Sequence, residues 1–193
     1  MKYYTESYLK NLAESTKRSS TESFSQIIMD SHKKTSYDIF LSHSFSDKKL
    51  IEGLYFELTS KGNSVYVDWI VDSHLDRKNI TKETVERIRK RMKQCKSLIY
   101  AISENASSSK WMTWELGFMD GYVEKCAILP VTIYEDDSFD GHDFLSVYPV
   151  IATEEVNGFY RTEKKINLYE NKNKALLSSL NEWKIDNQSN FNY

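Results

Sequence analysis

Glu115 is the carboxylate in this sequence best placed to do chemistry. It stands four residues after Trp111 and directly after Trp114, within the stretch SLIYAISENASSSKWMTWELGFMDGYVEKCAILPV from Ser97 to Val131. That stretch reads as an apolar strand, a polar loop, a helix opening on the two tryptophans, and a second apolar strand. Leu98, Ile99, Ala101 and Ile102 show no helical period, and neither does the run from Ala127 to Val131. Such runs suit parallel strands buried on both faces. The crossover helix between them then carries Glu115 in its first turns, just past the C-terminal edge of the first strand, where open parallel sheets bind their ligands. The plain alternative for Glu115 is a solvated first-turn carboxylate favoured by the helix dipole.

The elements that must position it can be followed along the chain. Residues 1–36 are rich in Ser, Thr, Lys and Tyr, and Tyr4, Tyr8 and Leu12, then Phe24, Ile27 and Ile28, permit two short amphipathic helices. At Tyr37 the character changes, and Ile39, Phe40 and Leu41 form a strand core that we take as central. Ser46 or Asp47 can cap the following helix, in which Leu50, Leu54 and Leu58 repeat with Ile51 beside them before Gly62 stops it. SVYVDW, Ser64 to Trp69, is the second strand. The connection IVDSHLDRKNIT that follows is longer than the usual two to six residues, and such loops are often functional. Thr81 opens the next helix, with Val85, Ile88, Met92 and Cys95 on one face. Pro130 and Pro149 each remove a ladder donor and therefore call for a bulge or an edge position. Asn157-Gly158 signals a turn, and Tyr169 to Trp183 suits a terminal helix with Leu176, Leu177, Leu180 and Trp183 inward. Strands alternating with helices imply a doubly wound parallel sheet with helices on both faces.

Composition narrows the partners. The 28 acidic and 26 basic residues leave a net charge of −2, which supplies no broad field for nucleic acid or an anionic membrane. No apolar run approaches the roughly 20 residues that span a bilayer, so the expectation is a cytoplasmic protein. Cys95 and Cys126 stand far apart with no histidine at ligand spacing, so they read as core thiols and no metal site is expected.

Several motifs in the right order carry a family likeness. YDIFLSHSFSD, VYVDW, the loop containing Leu75, Asp76 and Arg77, SLIYAISENASSSKW and WMTWE, followed by a strand with an internal proline, resemble a bacterial Toll/interleukin-1 receptor (TIR) domain over Tyr37 to Ile151. The resemblance implies a flavodoxin-like, five-stranded parallel sheet of order 2-1-3-4-5. The domain is expected at 37–152, with helical extensions at 1–36 and 153–193. It also implies that Trp69 to Ile80 matches the family's BB loop. Many members cleave NAD+ at the nicotinamide glycosidic bond with a glutamate four residues after a tryptophan, the pattern met by Trp111 and Glu115. Compact TIR proteins of this kind resemble the sensor subunits of Thoeris anti-phage systems, whose nucleotide product activates a separate effector. Members commonly complete the site with a loop from a neighbouring protomer, so a homo-oligomer is expected.

One carboxylate suffices for that reaction. Ordinary glycosidases need two because the leaving alkoxide must be protonated, whereas nicotinamide leaves as a neutral molecule. Glu115 need only bind ribose hydroxyls and stabilise the oxocarbenium-like charge. NAD+ is then a substrate, and no cofactor is expected. By position, Trp111 or Trp69 can stack on a substrate ring, Ser42, His43, Ser44 and Phe45 can hold ribose or phosphate, Asp68 can orient the substrate, and Arg77 can meet the pyrophosphate. Asp68 and Ser42 equally suit plain loop roles. The products open to the cation are ADP-ribose, a cyclic isomer or a conjugate. The competing functions are a non-catalytic TIR adaptor and a nucleoside deoxyribosyltransferase-like enzyme. A Ser42, His43, Asp68 hydrolase lacks a glycine-flanked nucleophile elbow, and a phosphoacceptor receiver lacks the acidic pair that holds Mg²⁺.

Overall fold

A computed structural model of the chain describes residues 1–19, 34–72, 81–104, 109–135, 137–139, 143–157 and 162–185. β1 (Tyr4–Thr5) leads into α1 (Glu6–Ser19). Next come β2 (Ile39–Ser42), a 3-10 turn (Phe45–Asp47) running into α2 (Lys48–Ser60), β3 (Val65–Tyr66) and the single helical turn α3 (Asp68–Val71). They are followed by α4 (Lys82–Met92), β4 (Leu98–Ile102), α5 (Lys110–Val123), β5 (Cys126–Thr132) and a second 3-10 turn (Asp143–Val147). β6 (Val150–Asn157), β7 (Thr162–Tyr169), β8 (Leu176–Ser179) and α6 (Leu180–Ile185) are the last elements among the described residues.

The sheet runs β3-β2-β4-β5-β6-β7-β8. Its first five members are parallel neighbours, which is the flavodoxin-like order 2-1-3-4-5. β2 therefore lies one in from the edge, and β4 takes the central place among these five. The apolar runs form these strands because both faces are covered: Ile39, Phe40, Leu41, Leu98, Ile99, Ala127, Ile128 and Leu129 are all buried. Each large aliphatic side chain hidden in this way contributes about 1.5–3 kcal/mol. Leu50, Leu54, Leu58 and Ile51 of α2 and Ile88 and Met92 of α4 bury their predicted faces. Thr81 caps α4 by accepting from the Thr84 N–H at 3.2 Å, and Gly62 ends α2 at φ 81°. Asp47 does not cap α2 with its side chain; Ser44 caps the preceding 3-10 turn instead. Cys95 and Cys126 are buried free thiols, and burial pushes both above the ordinary thiol range.

β5 and β6 pair only at Ile128 and Val150. Where they part, the N-terminal segment enters: Tyr4 and Thr5 pair with Val131 and Thr132, and Lys2 bridges to Thr153 of β6. This explains a proline in an interior strand. The Ile128 N–H points to the β6 side, where it meets the Pro149 carbonyl at 2.9 Å. Pro130, two residues on, turns its nitrogen to the same side, at the point where the ladder passes from β6 to β1, so the missing donor costs no bond. Pro149 precedes β6 and serves as an acceptor. Neither proline marks a sheet edge.

The C-terminal region departs furthest from the sequence reading. In place of a helix over Tyr169 to Trp183, β6 and β7 pair antiparallel from Val150–Tyr169 to Asn157–Thr162, and β8 adds to β7. Only Leu180 and Trp183 pack inward, while Leu176 and Leu177 are exposed. The second N-terminal helix expected at Phe24 to Ile28 lies outside the described residues.

α1 packs on α2. Leu9 and Gly53 meet at the crossing, and the hydroxyls of Tyr4 and Tyr8 donate to the buried Glu57 carboxylate at 3.3 and 3.0 Å. Near the far end of α2, Asp38 bonds Ser64 at the turn into β3. Burial raises its pKa, but the Ser64 N–H and hydroxyl and the Lys96 ammonium outweigh that and bring its carboxyl down to about 2. A depressed carboxyl stabilises the fold above its unfolded pKa, and that stabilisation is lost as pH falls through the folded value. Stability is therefore expected to drop between about pH 4 and pH 2, and Asp38→Asn to flatten that limb in urea unfolding measured across pH.

Candidate active site at the C-terminal edge of the sheet

Ser109 caps α5 by accepting from the Met112 N–H at 3.4 Å and so starts the helix one turn before Glu115. α5 packs against β2, β4 and β5, which brings Glu115 over the end of β2. The Ser42 hydroxyl, on the last residue of β2, donates to Glu115 Oε2 at 2.6 Å, and both side chains are fully buried. Tyr100, directly across from Ser42 on β4, lies within the field of the same carboxylate. Burial pushes the Tyr100 hydroxyl above its ordinary pKa, with the Thr113 hydrogen bond opposing and the Glu115 charge adding to the rise. Sequence reading missed Tyr100, although its place facing Ser42 follows once the strand register is known.

Beside this pair, the end of β2 and the start of α3 meet. His43 is 2% exposed, and its Nδ1 lies 2.8 Å from the Leu41 carbonyl. A carbonyl only accepts, so Nδ1 carries the proton. The Trp69 indole N–H donates to Nε2 at 3.2 Å, and Asp68 Oδ1 is 3.4 Å from the same nitrogen. The expected strand from Ser64 to Trp69 stops at Tyr66, and Asp68 and Trp69 belong to the helical turn that follows. That turn swings the indole back toward β2. Lys48 Nζ lies 5.2 Å from the Trp69 ring and 5.3 Å from that of Phe45, which is 53% exposed. Lys48 is thus a second residue that sequence reading did not single out.

The remaining candidates are placed differently. Ser44 accepts from the Ser46 N–H. Trp111 stands one turn before Glu115 on α5, half-buried and edge-on to Trp114 with 5.6 Å between centroids. Arg77 lies outside the described residues. The loops around the crevice are tied together by Asp47, whose carboxylate accepts from Ser103 at 2.5 Å. At the exit of α3, Asp72 takes two bonds of 2.8 Å from Arg91 and one of 2.9 Å from Tyr66. Burial raises the Asp72 pKa, but these bonds and the Arg91 charge hold it below the ordinary carboxylate range.

Among the described residues no His, Cys, Asp and Glu cluster is arranged to hold a metal ion, and no helix is long and apolar enough to cross a membrane. Cavities of about 590, 460 and 600 Å³ open along α2 and β3, beside α4, and over the β7–β8 hairpin. None of these is lined by Glu115.

The family model for the TIR domain matches residues 39–159, more than half of the chain. Among curated proteins, the chain is 53% identical over 121 residues to a probable 3′ cyclic ADP-D-ribose synthase, ThsB′, of Bacillus cereus, a match covering 62% of this chain and 63% of that protein. It is 31% identical over 86 residues to a putative cyclic ADP-D-ribose synthase, TIR2, of Cytobacillus dafuensis, covering 44% and 23%. A probable 2′ cyclic ADP-D-ribose synthase, TcpO, of Methanobrevibacter olleyae is 34% identical over 115 residues, covering 56% and 32%. The matches thus span less than two thirds of each relative's length.

Proposed function

The chain belongs to the TIR-domain family, and from that premise we propose that it consumes NAD+, cleaving the nicotinamide glycosidic bond and closing the rest into a cyclic ADP-ribose. The observation that carries this reading is the Glu115 carboxylate, held by Ser42 at the C-terminal edge of the sheet, in a chain 53% identical to a protein named as such a synthase. When the C1′–N bond breaks, its electron pair returns to the pyridinium ring, which departs as neutral nicotinamide. No general acid is needed. Glu115 stabilises the positive charge left on the ribosyl carbon, and a hydroxyl of the second ribose captures that carbon, its proton leaving to water. The relatives carry names for both 2′ and 3′ isomers; the higher identity supports the 3′ linkage.

In this proposal Trp69 and Phe45 flank the substrate's rings at the mouth of the crevice, and Lys48 meets its pyrophosphate. Glu115 is fully buried in a single chain, so the site must open to admit substrate; in this proposal it is completed in a homo-oligomer formed through TIR–TIR contacts, in the cytoplasm. The cyclic nucleotide then acts on a separate effector in anti-phage defence. The test is NAD+ loss and product mass after incubation at high protein concentration and in phage-infected cells. Nicotinamide and a species one water lighter than ADP-ribose are expected. Plain ADP-ribose overturns the cyclisation, and intact NAD+ under all these conditions overturns the enzyme.

A further inference from the structure

His43 faces two side chains that ask opposite things of one nitrogen. Because Nδ1 is committed to the Leu41 carbonyl, the ring's charge is decided at Nε2. Unprotonated, Nε2 accepts the Trp69 indole N–H. Protonated, it has no lone pair for that bond, and Asp68 Oδ1 at 3.4 Å becomes its partner in a charge-assisted pair. The side chains of His43 and Asp68 are 2% and 4% exposed, so bulk solvent does not stand in for either partner.

We propose that His43 is a positioning residue with two settings: neutral, it holds the Trp69 indole in place, and protonated, it turns to Asp68 and releases the indole. The settings stand on the geometry of the ring, while their effect on turnover rests on the reading of the crevice as an NAD+ site. Asp68 from α3 is the charged group that rewards protonation. Lys48 from α2, over the outer face of the Trp69 ring, opposes it, because a second cation nearby disfavours the imidazolium and its cation–π contact keeps the indole seated. Of the other carboxylates around the crevice, Asp47 of the 3-10 turn is bonded to Ser103 and Glu115 of α5 to Ser42.

Acid favours the imidazolium, so falling pH selects the Asp68 setting. Since Trp69 binds and Glu115 does the chemistry, falling pH is expected to raise KM about tenfold while kcat changes less than about twofold. The decisive measurement is long-range proton–nitrogen NMR of the ¹⁵N-labelled full chain from pH 8 to 5, with Trp69→Phe assigning the indole. At pH 8, His43 should show a protonated Nδ1 and a bare Nε2, with the Trp69 indole proton slow to exchange. Acid should protonate Nε2 and speed that exchange. In His43→Gln the amide oxygen accepts without titrating, so the indole should stay protected throughout and the acid rise in KM should flatten. An Nε2–H tautomer at pH 8, or indole exchange indifferent to the charge on His43, overturns the proposal. So does an acid rise in KM that persists in His43→Gln. If NAD+ is not consumed, the reaction proposed above fails, and the spectra still decide this inference.

Discussion

Glu115→Gln is expected to abolish NAD+ consumption while leaving the fold intact. Glutamine has the same shape, and its amide oxygen accepts the Ser42 hydroxyl as Oε2 does at 2.6 Å, so packing and that hydrogen bond survive. What disappears is the negative charge. Two unit charges about 4 Å apart interact by about 4 kcal/mol at the effective dielectric of a protein site, and that energy corresponds to about a thousandfold in rate. Chromatography of NAD+ reads the turnover, and a thermal melt followed by circular dichroism reads the fold. A correctly folded Gln variant retaining more than about a tenth of wild-type turnover would remove Glu115 from its proposed role.

Gly53→Ala is expected to reverse the usual sign of a glycine replacement in a helix. Alanine ordinarily stabilises a helix interior by about 1 kcal/mol over glycine. At Gly53 the new Cβ would stand 2.0 Å from the Leu9 carbonyl oxygen and 2.7 Å from its carbon. These are backbone atoms that no rotamer change can move aside. α1 would have to lift from α2, pulling on the Tyr4 and Tyr8 bonds to Glu57 and on the pairing of β1 with β5. Overpacking of this kind costs about 3 kcal/mol, or roughly 6–12 °C in a chain of this size. Gly117 and Gly121 of α5, where a Cβ meets nothing within 4 Å, are the controls: alanine there should be neutral or stabilising. Urea unfolding of the three variants decides the point, and an unchanged midpoint for Gly53→Ala would mean that the helices do not cross so closely in solution.

The half of the fold that holds the candidate site was readable in the sequence, for a physical reason. Parallel strands buried on both faces must be continuous apolar runs, and their crossover helices must show a repeating apolar face, so Ile39 to Leu41, Leu98 to Ile102 and Leu50, Leu54, Leu58 announce themselves. The C-terminal hairpin does not. In β7 the first four residues, Thr162 to Lys165, are largely exposed and the last four, Ile166 to Tyr169, are buried, so no alternation appears. In β8 Leu176 and Leu177 mimic a helical face with Leu180 and Trp183, yet only the latter two are buried. β1 is two residues long, too short for any period, and exists because distant strands leave it a slot. In the site, Glu115 and Ser42 could be named from type and position. The partnership of His43 with Trp69 could not, because it depends on a helical turn at Asp68 where local sequence suggests a strand.

The placement of β1 also bears on how the molecule comes into being. Lys2 is bonded to Thr153, 151 residues later in the chain. At a synthesis rate of roughly 5–20 residues per second, Lys2 waits on the order of ten seconds for Thr153 to be made. Until then the slot between β5 and β6 does not exist, and Tyr3 lacks Val150, Ala152 and Tyr169 that bury it, although Leu9 of α1 can already meet Gly53 of α2. Closure of the sheet is thus a late, long-range event of the kind that slows folding.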